Sequence, residues 1–224
     1  MKRFAACVLS LLLVLIFFQT PASSAQSTAA AQAPRRATST PYTGDLSVFD
    51  SPGREQRLQI NRVMDILGIT PGKAVTDIGA GSGWFTVRAA RRVGPAGTVY
   101  AVDINADAIR YIDSRMHREA LSNIKTILSK PDDPMLPKEA VDAVLLLKTY
   151  HEIADPIALL EHLRVSLRPG ARLGIIDREG NGTDHGISRK VVIEEAGKAG
   201  YRLAQTYDFV KADKMDYFLV FVVQ

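Results

Sequence analysis

Cysteine is almost missing from this chain: of its 224 residues only Cys7 carries a thiol. That residue stands near the start of an apolar run from Phe4 to Phe18, just after Lys2 and Arg3. Once the run is removed as a leader, no disulfide, thiolate metal site or cysteine nucleophile can be built. A cysteine-free product suits an oxidising compartment. A strong charge of one sign is also lacking. The formal net charge is +4, and loss of Lys2 and Arg3 lowers it to +2, too weak a cationic field to mark a nucleic-acid partner. Internal repeats are absent, and the apolar run falls short of the roughly 18 residues expected of a membrane-spanning helix. The length leaves room for one α/β domain with a full core, plus an appendage.

The appendage is at the front. The apolar run is followed by Pro21-Ala22-Ser23-Ser24-Ala25, with small residues where a signal peptidase reads. Residues 1–25 are therefore expected to be a signal peptide, and the protein to be exported, periplasmic or secreted. The alternative is an uncleaved leader acting as an anchor, the one membrane attachment this sequence suggests. A lipid-modified cysteine would follow the apolar run, whereas Cys7 nearly begins it. Residues 26–52 are rich in Ala, Ser, Thr, Pro and Gln, with almost no large apolar residue before Val48-Phe49. Such a stretch reads as a disordered linker, with Arg35-Arg36 a solvated pair.

What is present centres on Val75-Thr76-Asp77-Ile78-Gly79-Ala80-Gly81-Ser82-Gly83-Trp84. An apolar run ends in an acid, glycines follow at alternate positions, and an amphipathic segment opens directly after them. This is a strand, a tight loop and a helix N-terminus, a cradle for a nucleotide-like ligand. The next strand, Thr98 to Asp103, ends in an acid 20 residues after Gly83, where a carboxylate can accept both hydroxyls of a ribose. The dinucleotide fingerprint G-x-G-x-x-G is not met, because Trp84 stands where its third glycine would fall. A nicotinamide-dependent oxidoreductase is disfavoured accordingly. A pyrophosphate would also avoid the neighbouring Asp77, which suits a cationic ligand better.

The run Asp77-Ile78-Gly79-Ala80-Gly81-Ser82-Gly83 resembles motif I of the class I S-adenosylmethionine (SAM) dependent methyltransferases, and the leader resembles that of exported, envelope-type bacterial members. The resemblance covers residues 53–224 and implies that this span is a methyltransferase domain with SAM as cofactor. It implies that Asp77, Gly79, Ala80, Gly81 and Gly83 cradle the cofactor, that Asp103 takes the ribose and that Ile104 packs on the adenine. An acid after the third strand often accepts the adenine amino group in that family. Lys130 stands at that place here, so Asp132 or Asp133 is expected to serve instead, or else the backbone. Arg168-Pro169-Gly170-Ala171 replaces the usual Arg-Pro-Gly-Gly.

Along the chain, Leu58, Ile60, Val63, Met64 and Leu67 mark one amphipathic helix from Pro52 to Leu67. Strands follow at about Ala74–Thr76, Thr98–Asp103, Ile124–Leu128, Val141–Leu147 and Arg172–Ile176, alternating with helices. Two last strands, about Arg202–Asp208 and Tyr217–Val223, read as an antiparallel hairpin. The order predicts an α/β, Rossmann-like, doubly wound, mostly parallel sheet of about seven strands. Ligands bind such sheets beyond the carboxyl ends of the strands, which brings Lys148 to Glu152 and Asp177 to His185 to the site.

His151 is the candidate base, Tyr150 a wall or orienting group for the acceptor, and His185 a group on a covering loop. Lys148 is counted with the cofactor-binding residues. His151, Glu152, Asp177 and His185 are of types that ligate divalent ions. No metal is expected, because the superfamily's metal-dependent O-methyltransferases carry an Asp after the fourth strand, where Lys148 stands. An Asn-Pro-Pro-Tyr run, the mark of enzymes that methylate exocyclic amines, is replaced by Thr149-Tyr150-His151-Glu152. The expected function is methyl transfer to a small-molecule acceptor of unassigned identity. The alternative is an exported SAM-binding protein without catalysis.

Overall fold

Aliphatic and β-branched residues are concentrated in seven segments that become the strands of one sheet. They are β1 (Ala74–Ile78), β2 (Thr98–Asp103), β3 (Ile124–Leu128), β4 (Val141–Leu147), β5 (Leu167–Asp177), β6 (Tyr201–Tyr207) and β7 (Tyr217–Val223). The structure is a computed structural model and describes residues 35–40 and 42–224. The expected signal peptide, residues 1–25, and the first part of the expected linker, residues 26–34, lie outside the described residues. Among the described residues no helix is long and apolar enough to cross a membrane.

The strand order is β3-β2-β1-β4-β5-β7-β6. β1 to β5 pair in parallel, while β7 is antiparallel to both β5 and β6. This is the expected Rossmann-like sheet, with one topological detail that the periodicity did not contain: the hairpin folds back so that its second strand lies inside. Burial explains the choice. Tyr217 to Phe221 of β7 are all buried, whereas Arg202 and Gln205 of β6 are exposed, so the apolar strand takes the inner place and the polar one the edge. A register shift between Leu203 and Gln205 breaks the regularity of that edge.

Each inner strand divides its side chains between two cores with the period of two that a pleated strand imposes. Ala143 and Leu145 of β4, with Phe218 and Val220 of β7, face the helices α2 (Ile60–Leu67) and α3 (Trp84–Val93). Val144, Leu146, Leu219 and Phe221 face α5 (Pro156–Ser166) and α6 (Arg189–Lys198) on the other side. The remaining helices are α1 (Arg54–Leu58) and α4 (Ala106–Arg118), which Asn105 caps by accepting from the Asp107 N–H at 2.8 Å.

Three local expectations need correction. The single helix expected from Pro52 to Leu67 is divided into α1 and α2 by Gln59, whose φ is 52°. Leu58 and Ile60 lie on opposite sides of an unbroken helix, and the left-handed residue between them turns both fully into the core. β5 begins at Leu167 and runs through Pro169-Gly170, which were expected to act only as a turn. The pairing with β4 shifts between Val141 and Ala143 there, an irregularity that tolerates proline.

Finally, the described part of the expected linker is packed. Leu46–Asp50 forms a 3-10 turn capped by Asp45, and Leu46 and Ser39 are buried. Arg36 is no solvated cation. It donates to Glu195 Oε2 at 2.8 Å and to the Tyr150 carbonyl, with its guanidinium 4.9 Å from the Tyr150 ring centroid. Single anchoring residues spaced along polar sequence hold the segment, which is why composition reads it as free.

A non-glycine residue in the left-handed region carries strain of about 1–2 kcal/mol. Gln59 is exposed, and its side chain is engaged only by Arg62 at 3.3 Å. Gln59→Gly is therefore expected to stabilise the fold by about 1 kcal/mol, a rise of roughly 2–4 °C in melting temperature. A lower melting temperature in thermal denaturation would show that the kink is not strained.

Candidate active site

Between β1 and β4 the strand order reverses, and the chain leaving each carboxyl end turns away from the other. The crevice left there opens into a cavity of about 690 Å³. Its walls are the loop after β1, the end of β2, the segment after β3, the segment after β4, and the packed N-terminal arm.

The loop after β1 needs its glycines for reasons visible in the geometry. Gly79 has φ +72°, and a Cβ there would lie 2.3 Å from the Thr149 side chain. Its N–H and that of Ala80 donate to the Val102 carbonyl at 2.8 and 3.1 Å, which ties the loop to β2. The Gly81 N–H turns to the Asp103 carboxylate, Oδ2, at 2.9 Å. The Asn105 N–H donates to Oδ1 of the same carboxylate at 2.9 Å. A carboxylate has about four acceptor positions, so Asp103 is aimed by two backbone donors and keeps capacity for a ligand. Burial raises its pKa, against those backbone hydrogen bonds. Ile104 beside it is half exposed and also lines the cavity.

Asp77, at the end of β1, is buried and receives the Thr86 hydroxyl at 2.6 Å. Desolvation dominates at this carboxyl. Its pKa is pushed up to about 7 by burial, opposed by the Thr86 hydrogen bond and reinforced by the nearby Asp103 charge.

After β4, His151 and Glu152 stand on a one-turn 3-10 helix, Tyr150–Glu152. The His151 ring is 1% exposed, and its Nδ1 lies 2.9 Å from Asp177 Oδ2. The fully buried Asp177, at the end of β5, also accepts the His151 N–H at 3.2 Å and the Arg178 N–H at 2.9 Å. A carboxylate on Nδ1 sets the tautomer: Nδ1 carries the proton and Nε2 keeps its lone pair. His151 lines the cavity together with Glu152 and His185. The His185 ring sits 5.9 Å from the His151 ring, nearly perpendicular to it. Burial raises the Glu152 pKa, with the His151 charge acting against it.

Asp77, Gly79, Ala80, Gly81, Asp103, Ile104, Lys148, His151 and His185 thus all line the one cavity. Gly83 stands behind the loop, its Cα side 3.0 Å from Ile112 were a Cβ present. Besides Gly83, three expected residues are not brought there. Tyr150 is fully buried and donates its hydroxyl to Glu195 Oε2 at 2.9 Å, so it holds the arm and α6 and does not face an acceptor. Asp132 and Asp133 are absent from the lining, where Ser129, Lys130 and Pro131 appear instead. Asp133 is turned onto its own loop, accepting the Met135 N–H at 2.8 Å.

Other groups escaped the sequence reading. Tyr42, Leu46 and Phe49 of the arm wall the cavity. Asp50 clamps the arm to the glycine loop, accepting from Ser82 Oγ at 3.0 Å and from Arg115 at 2.9 Å. Arg54 and Arg88 lie over the Trp84 ring at 4.6 and 4.1 Å from its centroid, and Arg88 pairs with Glu55 at 3.1 Å. The apolar Leu46 and Val48-Phe49 were the only local signal of the arm.

Comparison with known proteins agrees with this architecture. Residues 75–170 match the family described as "Methyltransferase domain". The Nocamycin O-methyltransferase of Saccharothrix syringae is 30% identical over 129 residues, covering 57% of this chain and 46% of that protein. The ubiquinone/menaquinone biosynthesis C-methyltransferase UbiE of Hydrogenovibrio crunogenus is 27% identical over 122 residues, 54% of this chain and 48% of that protein. The chain spans about half the length of these curated relatives. In three dimensions it is similar to a SAM dependent methyltransferase from Aquifex aeolicus, with a TM-score of 0.73 and 24% identity over 81% of this chain and 100% of that one. The fold is the Rossmann-like methyltransferase fold.

The buried carboxyl generates a sign that can be checked without any ligand. Because the folded-state pKa of Asp77, about 7, lies above its ordinary 3.8, the folded protein holds a proton that the unfolded chain has lost. The stabilisation this gives is present below about 3.8 and is lost as pH rises toward 7. Asp77→Asn keeps an acceptor for Thr86 and removes the buried charge. The variant is expected to melt above the parent at pH 8 by a margin that shrinks as pH falls toward 5. A margin independent of pH in thermal melts would contradict the assignment.

Proposed function

We propose that this chain is a SAM-dependent methyltransferase that transfers a methyl group to a small-molecule acceptor seated against His151, Glu152 and His185. The observation that carries the reading is the end of β2. There Asp103 is aimed by the Gly81 and Asn105 N–H groups into the same cavity that the His151–Asp177 pair faces. The residues present fit the cofactor. Asp103 is placed to accept ribose hydroxyls, the half-exposed Ile104 to cover an adenine face, and the close approach at Gly79 leaves the loop backbone bare toward the ligand. A pyrophosphate would meet both Asp77 and Asp103, whereas an ammonium and a sulfonium are attracted by them. When bound, SAM supplies a methyl group already activated on sulfur.

The chain's own contribution is then positioning, exclusion of water and custody of one proton. Asp177 holds the His151 imidazole by Nδ1 and by its backbone N–H, so the ring cannot turn. Nε2 is the free basic atom. It accepts the proton that a hydroxyl acceptor must lose, and Asp177 stabilises the imidazolium on the other side. Glu152 Oε1, 3.8 Å from Nε2, adds a second carboxyl to that stabilisation. The relatives include both an O- and a C-methyltransferase by name. A poised base favours the acceptor that arrives protonated, and a protein that only bound SAM would have no use for it.

Titration calorimetry with SAM and S-adenosylhomocysteine tests the cofactor half. The parent should bind at micromolar concentration, and Asp103→Ala should lose about 100-fold or more, since hydrogen bonds to a charged group contribute about 1.5–3 kcal/mol each. Equal binding by parent and variant would sink the reading. For the acceptor half, methyl transfer from labelled SAM to a panel of hydroxylated small molecules should fall about 10²–10⁴-fold in His151→Gln, with S-adenosylhomocysteine affinity retained.

A further inference from the structure

We propose that His151, Glu152 and His185 form a binding site for one divalent first-row transition-metal ion of the zinc class. Each of these residues offers a ligand atom, and the three atoms lie within 4.8 Å of one another. Two come from adjacent residues of the turn after β4. The third arrives from the loop between β5 and α6, so the cluster is made by the fold and not by a local sequence pattern.

The chemistry of the donors is specific. Two imidazoles and one carboxylate form a set that suits zinc and its neighbours, and three protein ligands leave a coordination position open toward the cavity. His151 is already in the state a metal requires. Asp177 receives its Nδ1 at 2.9 Å and is itself held by two backbone N–H groups, the carboxylate–histidine support that orients metal-binding imidazoles. Nε2 makes no hydrogen bond among the described residues, its nearest polar neighbour being Glu152 Oε1 at 3.8 Å. The perpendicular rings of His151 and His185 allow both to approach one point without stacking.

Bonds of about 2.1 Å in a tetrahedral site put ligand atoms roughly 3.4 Å apart. The cluster must therefore draw in by up to about 1.4 Å. His151 is fixed, and the movement falls to the half-buried Glu152 and the exposed His185. The His185 backbone is anchored by Ser39 Oγ on its N–H at 3.0 Å and by Arg178 Nε on its carbonyl at 2.9 Å, which leaves the ring as the adjustable part. An ion on Nε2 occupies the lone pair that otherwise takes a proton. Metal and proton compete for one atom.

The test uses the full chain without a polyhistidine tag, stripped with a chelator and titrated with Co²⁺ while the visible d–d absorption is followed. One saturating Co²⁺ per chain, displaced by Zn²⁺, is expected. His185→Ala and Glu152→Gln should each weaken binding at least tenfold. Absorption that does not saturate, or equal affinity in the parent and both ligand variants, overturns the proposal. A parent chain that binds no SAM but saturates with Co²⁺ removes the cofactor reading and keeps this one.

Discussion

The strand order reverses between β1 and β4, and the site depends on that constraint. Crossovers carry the chain from β1 toward β2 on one side and from β4 toward β5 on the other. The strand register then decides which side chains meet in the gap. Ile78 pairs with Val102, which brings the loop after β1 beside Asp103. Leu147 pairs with Ile176, and the Lys148 N–H donates to the Ile176 carbonyl at 2.7 Å, so the turn bearing His151 begins directly beside Asp177. A one-residue slip of β5 would reverse the face on which Asp177 points. The His151–Asp177 pair is thus a consequence of sheet pairing, as much as of the two residues themselves.

Three strand ends carry an aspartate, and what distinguishes them is the number of donors each receives. Asp177 has the imidazole and two backbone N–H groups. Asp103 has two backbone N–H groups. Among the described residues Asp77 is hydrogen-bonded by Thr86 alone, chiefly through its hydroxyl at 2.6 Å, and burial drives its pKa up to about 7. Backbone donors come with the fold and cannot be withdrawn, whereas a single hydroxyl compensates little of the desolvation of a buried charge. A cationic ligand end at Asp77 would supply what the protein withholds. The weakest-solvated acid is therefore the one that a positive ligand has most reason to approach.

Much of this architecture could be read from local sequence. The apolar run of β4, broken only by Asp142, announced a buried strand, and the alternating glycines with an acid before them and Asp103 after them announced the cradle. The failures share one cause. Tyr150 looked like a wall of the site because it adjoins His151, yet its ring is turned to Arg36 and Glu195. Asp132 and Asp133 looked available because they are charged, yet a turn consumes Asp133 and the lining comes from Ser129 to Pro131. The arm looked free because its anchors are distant: Arg36 and Glu195 are separated by 159 positions. Periodicity reports which face of an element is buried. It carries no record of a partner supplied by another part of the chain.

The arm alters how the cavity is to be understood. Its His151 side is fixed by the central sheet, because Asp177, which holds the imidazole, ends β5 beside the buried aliphatic residues of β4 and β5. Its outer wall belongs to a segment without strand pairing, held by the Arg36–Glu195 and Arg115–Asp50 ion pairs and by Leu46. Phe49, which meets Tyr42 edge to face at 5.2 Å, lies within van der Waals reach of a Cβ built on Gly81. Few buried apolar contacts and partly exposed ion pairs are the features of low local stability. The imidazole is therefore aligned by sheet pairing, whereas the arm's side of the cavity rests on side-chain contacts, among them the clamp of Asp50 on Ser82 and Arg115.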